Sequence, residues 1–188
     1  MYRIKPLPPE QATPQVQEWY KNDIDSFVVI QCASAIYSYR PAVLTGFRQL
    51  IDSVDKDSGL TDHIKWLSDV KTASMVGCPT WIDHKASGAS RSGISHEKLV
   101  AVFDFRNSDL FTENEQAALK LTEAMTKTPP EVTDDLYKLV REFFSEGEIV
   151  ELAARIGIEN FRSRVNRCFG VLATNVYSQL EDLLKRVE

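Results

Sequence analysis

The sequence is short of basic charge, of long hydrophobic runs and of cysteine, and each shortage removes a class of function. Lys and Arg number 22 against 27 Asp and Glu, a formal net charge of −5. A mildly acidic chain lacks the cationic footprint that a phosphate backbone demands, so no nucleic-acid partner is expected. No apolar run, Phe27 to Ile30 included, approaches the roughly 18 residues of a membrane span. The opening MYRIKPLPPEQATPQ has no apolar core of the signal-peptide kind. The expected location is therefore the cytoplasm, with no membrane partner.

Cys32, Cys78 and Cys168 are odd in number and widely spread, which is neither a disulfide framework nor a zinc-type pair. His63, His84 and His96 do not stand at ligand spacing with other donors, so no metal and no cofactor are expected. Segments of period two bounded by turn residues are absent, which argues against a sheet.

What is present is helical punctuation. Thr13-Pro14 is a hydroxyl cap followed by proline at the first helical position, and predicts a short helix over about Gln15 to Asn22. Phe27 to Tyr37 reads as a second, apolar helix. Pro41 opens a third, with Leu44, Phe47, Leu50, Ile51 and Val54 on one stripe. Thr61-Asp62 starts a helix that runs to Gly77, and Cys78-Pro79 starts another that runs to Gly93. Thr112 with Glu115 and Ser145 with Glu148 are capping boxes, and Thr133-Asp134-Asp135 caps a helix between them. The expected fold is all-α: one domain over 1–188, with an extended arm over 1–12 and a C-terminal amphipathic helix over 171–188.

One stretch carries chemistry. Val76-Gly77-Cys78-Pro79-Thr80-Trp81-Ile82-Asp83-His84-Lys85 puts a cysteine at the cap of a helix, where backbone amides favour a thiolate. Trp81, Asp83, His84 and Lys85 follow within one further turn or so, supplying an aromatic, an acid, an imidazole and an amine for nucleophilic or acid–base work. The competing reading is plain packing: a cysteine on an apolar helix is often a small core residue, and three consecutive polar residues splay around a helix.

The order of segments from about Pro8 to Val171 resembles the longer members of the carboxymuconolactone decarboxylase / alkyl hydroperoxidase D family. The resemblance rests on the Gly77-Cys78 stretch through Gly93, on Phe105-Arg106-Asn107-Ser108-Asp109-Leu110-Phe111-Thr112 and on Thr128-Pro129-Pro130-Glu131-Val132-Thr133-Asp134. It continues through Phe144 to Leu152 and closes on Glu159 to Arg167 followed by Phe169-Gly170-Val171. It implies an alkyl hydroperoxidase D-like helical bundle that assembles as a dimer, trimer or hexamer.

The family's peroxidases use a Cys-x-x-Cys pair, a glutamate twelve residues before the first cysteine and a histidine seven after it. The first cysteine matches Cys78. The second falls on Trp81, the glutamate on Trp66 and the histidine on Lys85, while His84 is one residue out of register, a rotation of about 100°. Asp83 keeps a place usual in the long subgroup. With Trp81 in place of the partner thiol, no disulfide can form across the turn, so two-cysteine peroxidase chemistry is not expected; Cys32 or Cys168 could substitute only if the fold brought one within about 6 Å between Cα atoms. The sequence leaves three readings: a residual single-thiol peroxidase through Cys78, a non-redox lyase or isomerase using Asp83, His84 or Lys85, and a non-catalytic binder. In the last, Trp66 and Trp81 would line a pocket for a small apolar molecule. The arginines, Arg162 among them, are expected to form buried ion pairs with acids such as Glu159.

Overall fold

The computed structural model describes residues 2–27 and 30–187, with the side chains of Ser26, Phe27 and Cys32 also outside the description. Among the described residues there is no strand. Ten α-helices follow in order: α1 (Pro14–Phe27), α2 (Cys32–Tyr37), α3 (Pro41–Asp55), α4 (Asp62–Val76), α5 (Pro79–Arg91), α6 (His96–Ala101), α7 (Glu113–Thr126), α8 (Asp134–Arg141), α9 (Glu146–Phe169) and α10 (Leu180–Leu184). The all-α expectation holds. No helix is long and apolar enough to cross a membrane.

The chain divides into two compact units. The first comprises 1–56 with 168–172. Its N-terminal arm is extended apart from a short 3-10 turn at Pro9–Gln11. It is pinned where the Leu7 amide donates to the Ala35 carbonyl at 2.9 Å and Tyr20 Oη donates to the Leu7 carbonyl at 2.9 Å. Helix α1 extends to Phe27, beyond the Asn22 end predicted for it. The second predicted helix survives as Cys32–Tyr37, and its residues 28–29 lie outside the described residues. Inside this unit Arg48 pairs with the buried Asp23 and donates to Ser34 Oγ at 2.6 Å.

The second unit comprises 57–167 with 173–188. Its helices begin and end where the sequence punctuates them. Thr61 Oγ1 accepts the Ile64 amide, Thr133 Oγ1 accepts the Leu136 amide, and the carboxylates of Glu115 and Glu148 return to the amides of Thr112 and Ser145. Gly77 closes α4 at φ 68°, a left-handed turn that favours glycine. A core of Leu60, Ile64, Ala117, Ala118, Leu121, Val140, Phe144, Ile149, Leu152 and Ile156 joins α4, α7, α8 and α9.

The end of the chain departs from expectation. The helix predicted over 171–188 shrinks to Leu180–Leu184, and 173–176 carry no regular structure. The reason is a competing acceptor. Asp83, fully buried on α5, takes the amides of Thr174 at 3.0 Å, Val176 at 3.2 Å and Tyr177 at 2.8 Å, which holds this stretch off a helical path. Val176, expected on the apolar face of that helix, is 43% exposed.

Candidate functional site

The site lies in the second unit, on the helix pair α4–α5 and the α9 segment beside it. Cys78 sits at the N-cap of α5 with Pro79 at the first helical position, as the sequence predicts, and is fully buried. Burial pushes its thiol up to about 11, and the nearby Glu159 charge pushes the same way. The amides of Trp81 and Thr80 at the helix start and the Ser163 hydroxyl oppose this as hydrogen-bonding neighbours of the sulfur, although neither amide forms a full capping bond. The resting thiol is therefore protonated at neutral pH, contrary to the simple expectation from a helix cap: desolvation outweighs the amides.

Lys85 turns away from solvent into a cluster that no single segment contains. Its Nζ lies 2.7 Å from Asp69 of α4 and 4.0 Å from Glu159 of α9. Arg155 reaches Asp69 at 2.9 Å, and Arg162 reaches it at 3.6 Å while pairing with Glu159. Asp69, Lys85, Glu159 and Arg162 are all buried. Burial alone would raise the Asp69 carboxyl, but Lys85 first, then Arg155 and Arg162, hold it well below the ordinary carboxylate range. Burial lowers Lys85, with Arg162 adding to the effect and Asp69 opposing it. Three basic side chains thus face two carboxylates in the cluster.

The two indoles expected to line a pocket do share a place, and charged side chains occupy it. Lys85 Nζ is 5.1 Å from the Trp66 ring centroid and 5.8 Å from that of Trp81, and the Arg162 guanidinium lies 4.2 Å from the Trp81 ring. The half-buried Trp66 donates to Ser92 Oγ at 2.8 Å. Its ring presses on Gly88, where an added Cβ would come within 2.6 Å of the indole, so this position requires glycine. The buried Trp81 Nε1 has no hydrogen-bond partner.

The remaining predicted residues point elsewhere. Asp83 is spent on the chain from Thr174 to Tyr177, and His84 Nε2 meets Thr174 Oγ1 at 2.9 Å. Of the predicted set the structure thus brings Lys85 to both Trp66 and Trp81 and the Cys78 sulfur to the Trp81 amide, while Asp83 faces the C-terminal segment and His84 bridges, its ring 5.8 Å from that of Trp81. The expected Arg162–Glu159 ion pair is present. Asp69, its partner Arg155 and Ser163 escaped sequence reading, since nothing local marks them; the available signal was Glu159 and Ser163 standing four apart, on one face of a helix. Cys78 and Cys168 are free thiols, Cys168 being exposed.

No family model matches the sequence. The chain is 33% identical over 118 residues, 63% of its length, to the uncharacterized protein YnjA of Escherichia coli K12, and the match spans 65% of that relative. It is 28% identical over 136 residues to the uncharacterized protein YdfG of Bacillus subtilis 168, covering 71% of this chain and 92% of that one. Among solved structures it is similar to the debrominase Bmp8, with TM-score 0.83 and 22% identity over 99% of this chain and 98% of that one. A Cys-to-Ala variant of Bmp8 has been solved with 2,3,4-tribromopyrrole at the same TM-score. A peroxidase-related protein with an alkylhydroperoxidase AhpD core, from Ralstonia eutropha, superposes at TM-score 0.84 with 16% identity over 100% and 97% of the two chains. The fold is the alkyl hydroperoxidase D-like helical fold.

Proposed function

We propose that this chain is a thiol-dependent oxidoreductase of the alkyl hydroperoxidase D / carboxymuconolactone decarboxylase family, in which Cys78 reacts alone and an external thiol completes the cycle. The observation that carries this reading is the seat of Cys78: a buried thiol at a helix N-cap, with the Thr80 and Trp81 amides and the Ser163 hydroxyl as hydrogen-bonding neighbours of the sulfur. Such surroundings favour an anion formed at the moment of reaction more than a resting thiolate. With an organic hydroperoxide, sulfur attacks the terminal oxygen, the O–O bond breaks, and an alcohol leaves. The sulfenic acid on Cys78 then condenses with one external thiol, releasing water, and a second thiol frees Cys78 as the external disulfide forms.

A second substrate class is favoured by the likeness to Bmp8 along nearly the whole of both chains. On this reading the present chain would take a brominated aromatic ring: a ring carbon exchanges bromine for hydrogen, bromide leaves, and Cys78 with an external thiol supplies the two electrons, ending as a disulfide. The lyase reading is weaker, because Asp83 and His84 are engaged with the C-terminal segment and Lys85 with Asp69.

The test is turnover with a dithiol reductant, following hydroperoxide loss in one assay and bromide release from a bromopyrrole in another, for wild type and Cys78→Ser. Turnover by wild type in either assay, abolished in Cys78→Ser, is the expected result. A wild type inert in both, or a Cys78→Ser variant as active as wild type, refutes the proposal.

A further inference from the structure

Two indoles face the same lysine, and only one of them has its N–H answered. Trp66 Nε1 donates to Ser92 Oγ at 2.8 Å. Trp81 is 6% exposed, and its Nε1 has no acceptor among the described residues. Packing accounts for the ring but not for the N–H. The Arg162 guanidinium lies 4.2 Å from the Trp81 ring centroid and Lys85 Nζ 5.8 Å from it. A phenyl ring would offer both cations the same kind of face without burying a donor. A donor left unpaired in the interior costs free energy, and native folds rarely keep one without a reason. The place of the indole points to a use. Cys78 is the N-cap of α5 and Trp81 its third residue, and the Cys78 carbonyl accepts the Ile82 amide at 3.0 Å, so thiol and indole rise from one helical turn. Arg162 and Lys85 are themselves paired with Glu159 and Asp69, which leaves the indole N–H as an uncommitted donor beside them.

We propose that Trp81 is a halide-binding residue of the thiol site, its Nε1–H donating to the bromide that leaves a bromoaromatic ring. The inference rests on the brominated-ring reading above, in which Cys78 and an external thiol supply the two electrons. Bromide departs with the electron pair of the bond it leaves. The indole keeps its proton throughout, so the seat gives a hydrogen bond and takes no part in proton transfer. A halide suits such a seat. It is a single-atom acceptor, and it is less strongly hydrated than a carboxylate or sulfate, so it loses less on entering a buried place. An N–H directed at an anion is a charge-assisted hydrogen bond, the stronger kind. Of the charged groups near the ring, Arg162 and Lys85 favour an anion while their partners Glu159 and Asp69 oppose it. The hydrogen bond, more than net charge, therefore selects the ligand. Trp66 cannot take over the task, because Ser92 already holds its N–H.

The experiment is a sodium bromide titration of the full-length chain without substrate, followed by NMR on the three indole N–H resonances, with sodium sulfate at matched ionic strength as the control. Wild type is compared with Trp81→Phe, which keeps a ring beside Arg162 and removes the N–H. The expected result is that one resonance, the one absent from Trp81→Phe, moves saturably with bromide and stays still in sulfate, while those of Trp19 and Trp66 move in neither. A Trp81 resonance that ignores bromide, or that moves equally in sulfate, overturns the seat. Should Trp81→Phe not fold, Trp19→Phe and Ser92→Ala identify the other two resonances, and the wild-type titration decides alone. A saturable Trp81 shift in a protein that releases no bromide from bromopyrrole keeps the seat and removes the substrate reading. Bromide release by a protein whose Trp81 resonance ignores bromide removes the seat and keeps that reading.

Discussion

Two buried aspartates in the same unit, Asp69 at 1% exposure and Asp83 at 0%, are satisfied in opposite ways. Asp69 is surrounded by side-chain cations: Lys85, Arg155 and Arg162. Asp83 is held by backbone amides of a distant segment together with the Thr174 hydroxyl. The first arrangement ties charges of α4, α5 and α9 together; the second shapes the chain. Residue type did not distinguish them, and Asp83, the nearer of the two to Cys78 in sequence, is the one held by backbone amides. Partners assign the role.

That contrast can be broken first at Asp69. Asp69→Asn strands three cations around Glu159 alone and should cost about 3–5 kcal/mol, the usual penalty for removing one side of a buried charge network, measured by denaturant unfolding. The same carboxyl should dominate acid unfolding. Its folded value lies below the unfolded carboxyl's, near 4, so its stabilisation is complete above that pH and is lost progressively as pH falls toward the folded value. The wild-type loss of stability below pH 4 should be visibly shallower in Asp69→Asn.

Asp83→Ala tests the other arm. Leaving the amides of Thr174, Val176 and Tyr177 without their acceptor should cost about 2–3 kcal/mol and expose 173–179 to limited proteolysis. Asp69→Asn should leave that segment protected. Equal cleavage in both variants would erase the distinction drawn here. Gly88→Ala sharpens the packing around the charge cluster: a Cβ set 2.6 Å from the Trp66 ring should cost about 1–3 kcal/mol and shift Trp fluorescence. The smallest effect belongs to His84→Ala. Thr174 keeps its bond to Asp83, so the loss should stay at about 0.5–1.5 kcal/mol in the melting curve.

Much of the fold was legible because helix boundaries are local. Thr61, Thr133, Ser145 and Gly77 act within a few residues of themselves, and each punctuates a helix where the pattern placed it. The C-terminal helix failed for the opposite reason. Its apolar spacing at Val176, Leu180, Leu183 and Leu184 is helical, but Asp83, more than ninety residues earlier, bids for its amides. The site was half legible. A cysteine before proline after a glycine announced the cap, and the substitutions at Trp66 and Trp81 announced the missing partner thiol and carboxylate. The carboxylate that stands near the sulfur was legible only as an ion-pair partner for Arg162, and Ser163 read as an ordinary polar position on a long helix.

The sequence by itself therefore determined an all-helical chain, the cap at Cys78 and the absence of a second thiol in its turn, all consequences of interactions spanning one helical turn. Only the tertiary structure decided which aspartate is paired with cations and which with backbone amides, and that burial pushes the thiol up. Both depend on burial and on the approach of α4, α5 and α9 to one another, where desolvation and distant charges outweigh anything a residue's own neighbours can supply.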